Sequence, residues 1–501
     1  MNVLLLVLLA LPLAACALLV ALRGPAGERW AVTVGTITSA AVLLLSLAAV
    51  RAFDTGAPQR MQLETDVGWT SGLGLRLHVG VDGVSLPLVV LTALLTFLCL
   101  LHLRRHLPEP GRPRALVGLV LLLEVGLLGT FLALDLLLFF IFFELVLIPM
   151  YAVIAGWGGA GRTGAATKFI LYTLLGSAVT LVGFLVVFLQ TGTLDMVELA
   201  ERGGDGMSRT VQVVAFLAVA TGFAVKTPMW PLHTWLPDAH SEAPTIGSVL
   251  LAGVLLKMGT YGLVRIAVPV LPEGAQLLAP WLGAFGVVGI IYGSLVCLAQ
   301  TDLKRLVAYS SVGHMGFVLL GIATLTPAGL NGALFANIAH GLITGLLFFL
   351  AGGLKERYGS TDLAVLGGGL YARAPRFGGL LAFAAVASLG LPGLAGFWGE
   401  MLAMFGAYRP AAGLPRELFL AFMALAGLGT VLTAAYLLMV LRRVAQGSAA
   451  DAARGPLPDV AAREWLAWAP LAALVLVLGL WPRLLLGLTD PAVRMLLGVG
   501  T

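Results

Sequence analysis

Runs of about twenty apolar residues recur along nearly the whole chain, at about 2–21, 31–51, 83–103, 115–133, 136–155, 167–190, 211–227, 245–269, 278–299, 305–325, 330–351, 376–407, 417–441 and 464–486. About 20 residues of α-helix are needed to cross a bilayer core roughly 30 Å thick. A helix also satisfies its own backbone hydrogen bonds, which lipid cannot do. The runs show no strand-like alternation, so the sequence predicts an all-α polytopic membrane protein with about 14 transmembrane helices. Composition closes the soluble alternative. Of the 501 residues, 59% are hydrophobic and 11% charged, against about 45–50% and about 25% in soluble domains. The 63 glycines suit close helix–helix approach in lipid.

Charge sets the expected orientation. Of the 30 lysines and arginines, 18 follow odd-numbered runs, 10 follow even-numbered runs, and Lys226 and Lys257 lie within runs. Basic residues collect on the cytoplasmic side. That bias predicts both termini on the outer, periplasmic side of a bacterial inner membrane. Leu13-Ala14-Ala15-Cys16 resembles a lipoprotein cleavage site, but Met1-Asn2-Val3 lacks the positive region of a secretory signal, so residues 2–21 are read as a retained helix. The loops at about 52–82 and 191–210 are too short to fold alone. The net charge of +5 is scattered over short loops and does not form a nucleic-acid surface. Cys16, Cys99 and Cys297 each lie in an apolar run, with no CxxC pair for zinc or an iron–sulfur cluster and no disulfide framework. No Walker, dinucleotide or nucleophile-elbow motif is present, and Gly367-Gly368-Gly369 follows no strand.

Two runs carry helix breakers. From Lys226 the chain reads Lys226-Thr227-Pro228-Met229-Trp230-Pro231-Leu232-His233-Thr234-Trp235-Leu236-Pro237-Asp238, and three prolines in ten residues cannot occupy one regular helix. Leu391-Pro392-Gly393 stands shortly before Glu400. Paired interruptions in corresponding halves point to a transporter site at a repeat interface. Glu144 and His314 are 170 positions apart, and Lys226 and Glu400 are 174 apart. This spacing predicts two inverted five-helix repeats with two discontinuous helices. The corresponding division is 1–114 (three helices), 115–269 (first repeat), 270–441 (second repeat) and 442–501 (a polar connector and a last helix).

A charge at the bilayer centre costs about 2.5–3.5 kcal/mol on insertion scales, so each one inside a run needs a reason. Glu144 stands in Phe139-Phe140-Ile141-Phe142-Phe143-Glu144-Leu145-Val146-Leu147-Ile148-Pro149. Lys257 is mid-run in Leu255-Leu256-Lys257-Met258-Gly259. Lys226 and Glu400 adjoin the breaks, and His314 and His340 lie within the tenth and eleventh runs. Each has a plainer reading as a helix-packing polar residue. The depth of Glu144, Lys226, Lys257 and Glu400 favours a proton relay, whereas a lone membrane histidine can simply bond a neighbouring backbone. For Glu124 and Asp135, nearer the ends of their runs, the two readings stand level. Mixed acids, bases and imidazoles suit proton transfer, because desolvation and neighbouring charge move their proton affinities in opposite directions. A two-unit swing is about 2.7 kcal/mol, comparable to the roughly 2.3 kcal/mol needed to move a proton against 100 mV. His233, Asp238, His240 and Glu242 could suggest metal ligands, but they lack HExxH order and fall in a proline-rich stretch read as a loop.

The segment from Lys226 to Gly262, Lys-Thr-Pro-Met-Trp-Pro-Leu-His-Thr-Trp-Leu-Pro-Asp-Ala-His-Ser-Glu-Ala-Pro-Thr followed by Leu-Leu-Lys-Met-Gly-Thr-Tyr-Gly, resembles the antiporter-like subunits of respiratory NADH:quinone oxidoreductase (complex I), relatives of multisubunit sodium/proton antiporters. Phe143-Glu144-Leu145-Val146-Leu147-Ile148-Pro149-Met150-Tyr151 resembles the M-type in particular. So does Glu400, where the L- and N-types carry lysine. The resemblance covers roughly residues 80–445. It implies an ion pair of Glu144 with Lys226, a central Lys257 with His314 and His340, and Glu400 at the outward exit. It also implies a proton-translocating subunit without redox chemistry of its own, beside L-type and N-type partners, with NADH, FMN, iron–sulfur clusters and quinone on other subunits. Trp398 departs from the small aliphatic residue expected there. The rival expectations are a subunit of a sodium/proton antiporter or membrane-bound hydrogenase, and a purely structural anchor.

Overall fold

The structure is a computed structural model that describes residues 3–22, 24–70, 75–447 and 457–499. Among these, 13 helices are long and apolar enough to cross a membrane. The twelfth predicted run divides into Pro375–Ser388 and Ala395–Tyr408, 14 residues each, with the predicted Leu391-Pro392-Gly393 between them. Arg23 and Arg454, both counted toward the inner side, and the middle of the connector at 448–456 lie outside the described residues. The last run also divides. Ala462–Leu480 is a spanning helix, and after Trp481-Pro482 an amphipathic helix, Arg483–Leu496, follows.

Burial shows which helices form the centre. In the helices carrying Lys257, His314 and His340, 100%, 89% and 94% of the most apolar 18-residue window is buried, against 28% in Arg416–Ala445. The peripheral helices present bare leucines to lipid, such as Leu175 and Leu189.

The loop at 52–82 is not featureless. It folds into an antiparallel hairpin of β1, Gln62–Thr70, and β2, Leu75–Val81, with Asp66 opposite His78 and Gly68 opposite Arg76. The hairpin is a small addition to the helical bundle that the sequence predicts. Leu75-Arg76-Leu77-His78-Val79-Gly80-Val81 alternates with period two, the pattern of a half-buried strand. A lone hairpin is marginal in water, and this one is held from below. The Leu134 amide donates to the His78 carbonyl at 2.9 Å. The His78 ring spans Asp195 at 3.0 Å and Glu64 at 3.1 Å. Where the strand ends, Asp82 forms a buried ion pair with Arg265 at 2.5 Å.

One motif occurs twice. Asp135 and Asp195 form an isolated β-bridge, and so do Asp302 and Asp362, with both residues of the second pair 167 positions after those of the first. In each pair both aspartates cap the helices that follow them through side-chain oxygens. The first bridge follows the fourth span and the second follows the ninth, so the copies sit at opposite ends of the bundle.

Candidate functional site

Helix Arg209–Lys226 stops at the predicted break, and its last residue is Lys226. The amino group of Lys226 is buried and has no hydrogen-bond partner. It lies 4.5 Å from the centre of the Phe143 ring, at the edge of an aromatic cluster of Phe139, Phe143, Phe184, Phe223 and Tyr261. The ion pair implied for Glu144 and Lys226 is not formed. One Glu144 carboxylate oxygen is buried without a partner, and the neighbouring ring of Phe143 holds the ammonium instead. Ring faces attract cations, by about 0.5 to 2 kcal/mol depending on solvation. Both carboxylate oxygens of Glu124 are likewise buried and unpartnered. Asp135 is committed elsewhere: its Oδ1 accepts the amides of Leu137 and Leu138 at 2.9 Å, so it caps a helix and stands apart from the line.

Glu144 has a further feature the sequence reading passed over. The predicted single run at 136–155 is broken into Leu136–Leu145 and Leu147–Trp157. Pro149 has no N–H to return to the Leu145 carbonyl four residues back, and its ring crowds that carbonyl. The carboxylate therefore stands one residue before a break, as Lys226 does.

Lys257 is fully buried on the short helix Leu256–Gly262, which is flanked by π-helical turns at Leu251–Leu255 and Leu263–Ala267. Such turns widen a helix and recur at functional sites. The Lys257 amino group donates to the Ala252 carbonyl and lies 2.7 Å from Nδ1 of His340. One turn before His340, Asn337 accepts a 3.0 Å bond from Thr260, which ties the two helices together. A Cβ on Gly259 would stand 2.4 Å from the Phe223 carbonyl oxygen, so the Lys257 helix meets the Lys226 helix where no side chain fits.

His340 and His314 meet edge to face at 5.7 Å. His314 Nδ1 lies 3.1 Å from Glu400 and its Nε2 lies 3.0 Å from the Ser388 hydroxyl. Thr430 donates to the other Glu400 oxygen at 3.5 Å. Ser388 and Glu400 come from the two halves of the broken helix. Gly390 and Gly393 make that break at φ +82° and +94°, backbone that other residues rarely adopt. His314, His340, Ser388 and Glu400 share a cavity of about 20 Å³, room for about one water molecule. Trp398 donates to the Gly479 carbonyl at 2.8 Å, so the unexpected tryptophan ties the second half of the broken helix to the last spanning helix.

The structure thus gathers Lys257, His340, His314 and Glu400 into one connected line and places Lys226 and Glu144 unpaired near its start. Buried charges elsewhere contrast with these. Asp82–Arg265, where Asp82 also accepts the Val84 and Ser85 amides, and the two-pronged Arg357–Glu464 pair at 2.8 and 2.9 Å are fixed ion pairs. Such pairs are scaffold, because removing one member leaves a buried charge at a cost of about 3–5 kcal/mol.

A family model described as NADH:quinone oxidoreductase/Mrp antiporter, TM, matches residues 133–441. The chain belongs to this family. Subunit M of the NADH-quinone oxidoreductase of Rhodobacter capsulatus is 40% identical over 99% of this chain and 96% of its own length. A chain in the structure of respiratory complex I from Thermus thermophilus with bound NADH is 32% identical, with a TM-score of 0.86 over 99% of this chain and 100% of that one. A chain of the Mrp complex from Dietzia superposes with a TM-score of 0.85, over 99% of this chain and 97% of that one, at 23% identity, and so shares the fold.

Two family-segment residues deserved more weight than a loop reading gave them. His240 lies on a helix, Trp235–Glu242. It is fully buried with both ring nitrogens unpartnered and is stacked on Phe348 at 4.5 Å. Lys304 and Lys257 both act on it electrostatically, and Lys304 lines a cavity of about 550 Å³ with Glu242 and Glu356. His233, also buried and unpartnered, abuts Tyr292 at 5.1 Å. The sequence signal was weak, since both fall in the proline-rich stretch between two predicted spans. Asp238 and Glu242, once grouped with them, are bound elsewhere: Asp238 to Lys168 at 2.8 Å and Glu242 to the Gly161 amide at 2.9 Å.

Proposed function

We propose that the chain is an M-type membrane-arm subunit of a respiratory NADH:quinone oxidoreductase, of the translocase class, and that it carries protons along Lys226, Lys257, His340, His314 and Glu400. The reading rests above all on the 2.7 Å contact of Lys257 with His340, in a line whose next members are 3.1 Å apart. Lys226 and Glu144 form the switch. When the Lys226 ammonium leaves the Phe143 face for the Glu144 carboxylate, its proton is held. When it returns, the charged form loses its partner in an apolar surround and the proton is released inward. His340 takes a proton on Nδ1 from Lys257 and passes one on from Nε2, which lacks a partner. The one-water cavity bridges it to His314 and Glu400. An imidazole suits this step because its two nitrogens exchange donor and acceptor roles.

The driving chemistry belongs to other subunits, with NADH, FMN, iron–sulfur clusters and quinone bound there and with L-type and N-type neighbours in the membrane arm. Both termini face the periplasm of a bacterial inner membrane, and residues 115–269 and 270–441 are the inverted repeats. The test is proton uptake by proteoliposomes holding the assembled complex while NADH is oxidised. With Lys257→Ala, uptake per NADH falls while the complex still assembles. Full uptake at full assembly would refute the relay.

A further inference from the structure

Outside the relay, a groove of about 490 Å³ opens where helix Ser85–Leu103 ends and helix Ala462–Leu480 begins, lined by Leu101, Arg104, Arg105, His106, Arg463 and Leu466. Its side chains offer two chemistries. Nδ1 of His106 and carboxylate oxygens of Glu356 and Glu464 lie within 4.8 Å of one another, which is metal-ligand spacing. Against a cation, Glu464 already accepts two bonds from Arg357, at 2.8 and 2.9 Å, and a third from the Ala461 amide at 2.7 Å. A metal would have to expel a guanidinium. The charge count points the same way. Three arginines, Arg104, Arg105 and Arg463, line the groove beside one carboxylate, Glu464, which Arg357 already pairs, leaving a surplus of positive charge. That surplus rests on Arg104, Arg105 and Arg463, which form no ion pair among the described residues. The groove is an anion site, and guanidinium forks match phosphate oxygens.

What lies beneath the arginines narrows the anion. Leu101 lies one turn before Arg104, the cap of its helix, Leu466 is three residues after Arg463 on its own helix, and all four line the groove. Leu466 is 60% exposed on a spanning helix. Inorganic phosphate would leave this apolar strip bare, whereas an anion carrying a hydrocarbon chain covers it. Basic pockets between membrane helices on the cytoplasmic side hold anionic headgroups, and the arginine-rich ends of these helices are on the side with more positive charge. We propose that this groove seats the phosphate headgroup of an anionic phospholipid, with an acyl chain along Leu101 and Leu466.

The assembled complex, reconstituted in phosphatidylcholine nanodiscs, is irradiated with phosphatidylglycerol bearing a diazirine on its acyl chain, and adducts are mapped by mass spectrometry. Peptides containing Leu101 and Leu466 should be labelled, and phosphatidylcholine bearing the same diazirine should label them about tenfold less. Replacing Arg104, Arg105 and Arg463 with Gln should lower the anionic signal about tenfold. Replacing them with Lys should restore most of it. If the Gln variant does not assemble, the two lipids compared on the unaltered complex decide alone. Equal labelling by both lipids overturns the proposal. So does an absence of labelling, as when an acidic segment of a neighbouring subunit fills the groove. Loss of labelling in millimolar inorganic phosphate also overturns it, because the site would then be one for free phosphate.

Discussion

The two halves of the molecule carry the same device with its acid and base exchanged. In the first half the carboxylate is Glu144 and the base, Lys226, ends the helix at a break. In the second half the base is His314 and the carboxylate, Glu400, follows a break. The first pair is apart, with Lys226 on the face of Phe143 and one Glu144 oxygen unpartnered. The second is closed at 3.1 Å and braced by Ser388 and Thr430. A buried charge without a bonded partner is costly to hold in place, and a bonded pair is less so. In the proposed relay, the difference assigns the changing of partners to the entry end and the holding of a proton to the exit end.

The largest effect should come from breaking the entry end. Lys226→Ala or Glu144→Gln in the assembled complex should cut NADH-driven proton uptake to roughly a tenth or less, since about 1.4 kcal/mol of lost proton affinity is already tenfold. Uptake within a factor of two of the unaltered complex would show that the two halves do not differ in role. The exit end should respond less and as a unit. His314→Ala and Glu400→Gln should each lower uptake severalfold, and the double variant should cost little more than either, because residues in one bonded network are not additive. Additive losses would dissolve the pair.

How much of this was legible follows from the periods involved. Spans, the breaks at Lys226 and before Glu400, and the buried charges are one-dimensional signals, and apolar length and proline carry them. Pro149 carried the same signal beside Glu144 but was read through, because the apolar run continued on both sides. The π-helical turns around Lys257 left no trace, since Leu, Ala, Gly and Val fit either helix and only packing selects the wider one. The hairpin leaves a weak signal, because seven alternating residues are short against spans of twenty. The wrong partner for Lys226 has another cause. Opposite charge suggests a pair, but the ammonium rests over the Phe143 ring because of side-chain direction, which sequence does not set. His240 was lost because a proline-rich stretch reads as a loop even where it folds into a buried helix.

That ring gives a finer probe of the first half. Phe143→Leu removes the face on which Lys226 rests, an interaction of about 1 kcal/mol. Proton uptake should shift by about fivefold at most, and Phe143→Trp should keep it near the original. If Leu and Trp behave alike, the aromatic face plays no part in holding the separated state.

The smallest effect separates the halves at their edges. Only the first aspartate bridge is clamped by a histidine, His78, while Asp302 in the second is bonded by Thr361. Burial works against protonation of His78, but hydrogen bonds to Asp195 and Glu64 outweigh it, so its pKa is raised from the ordinary 6.5. Asp195 shifts the other way: burial raises it, yet the His78 bond and its own helix-capping bonds leave its pKa below the ordinary 3.8. A raised histidine stabilises fully below its unfolded pKa and loses that stability as pH rises through the folded one. A lowered aspartate stabilises above its unfolded pKa and fails as pH falls through the folded one. The clamp therefore holds through mildly acidic pH and loosens as pH climbs past neutrality. Glu64 is 43% exposed at its side chain, so solvent screening limits the gain to roughly 0.5–1 kcal/mol. Hydrogen–deuterium exchange of the 62–70 and 75–81 strands, corrected for intrinsic rate, should show about two- to fivefold less protection at pH 8.5 than at pH 6. His78→Gln should flatten that dependence. A pH-independent hairpin in the unaltered chain would mean that Leu134 and the Asp82–Arg265 pair hold it without the histidine, and the first half would then have no pH-sensitive edge that the second lacks.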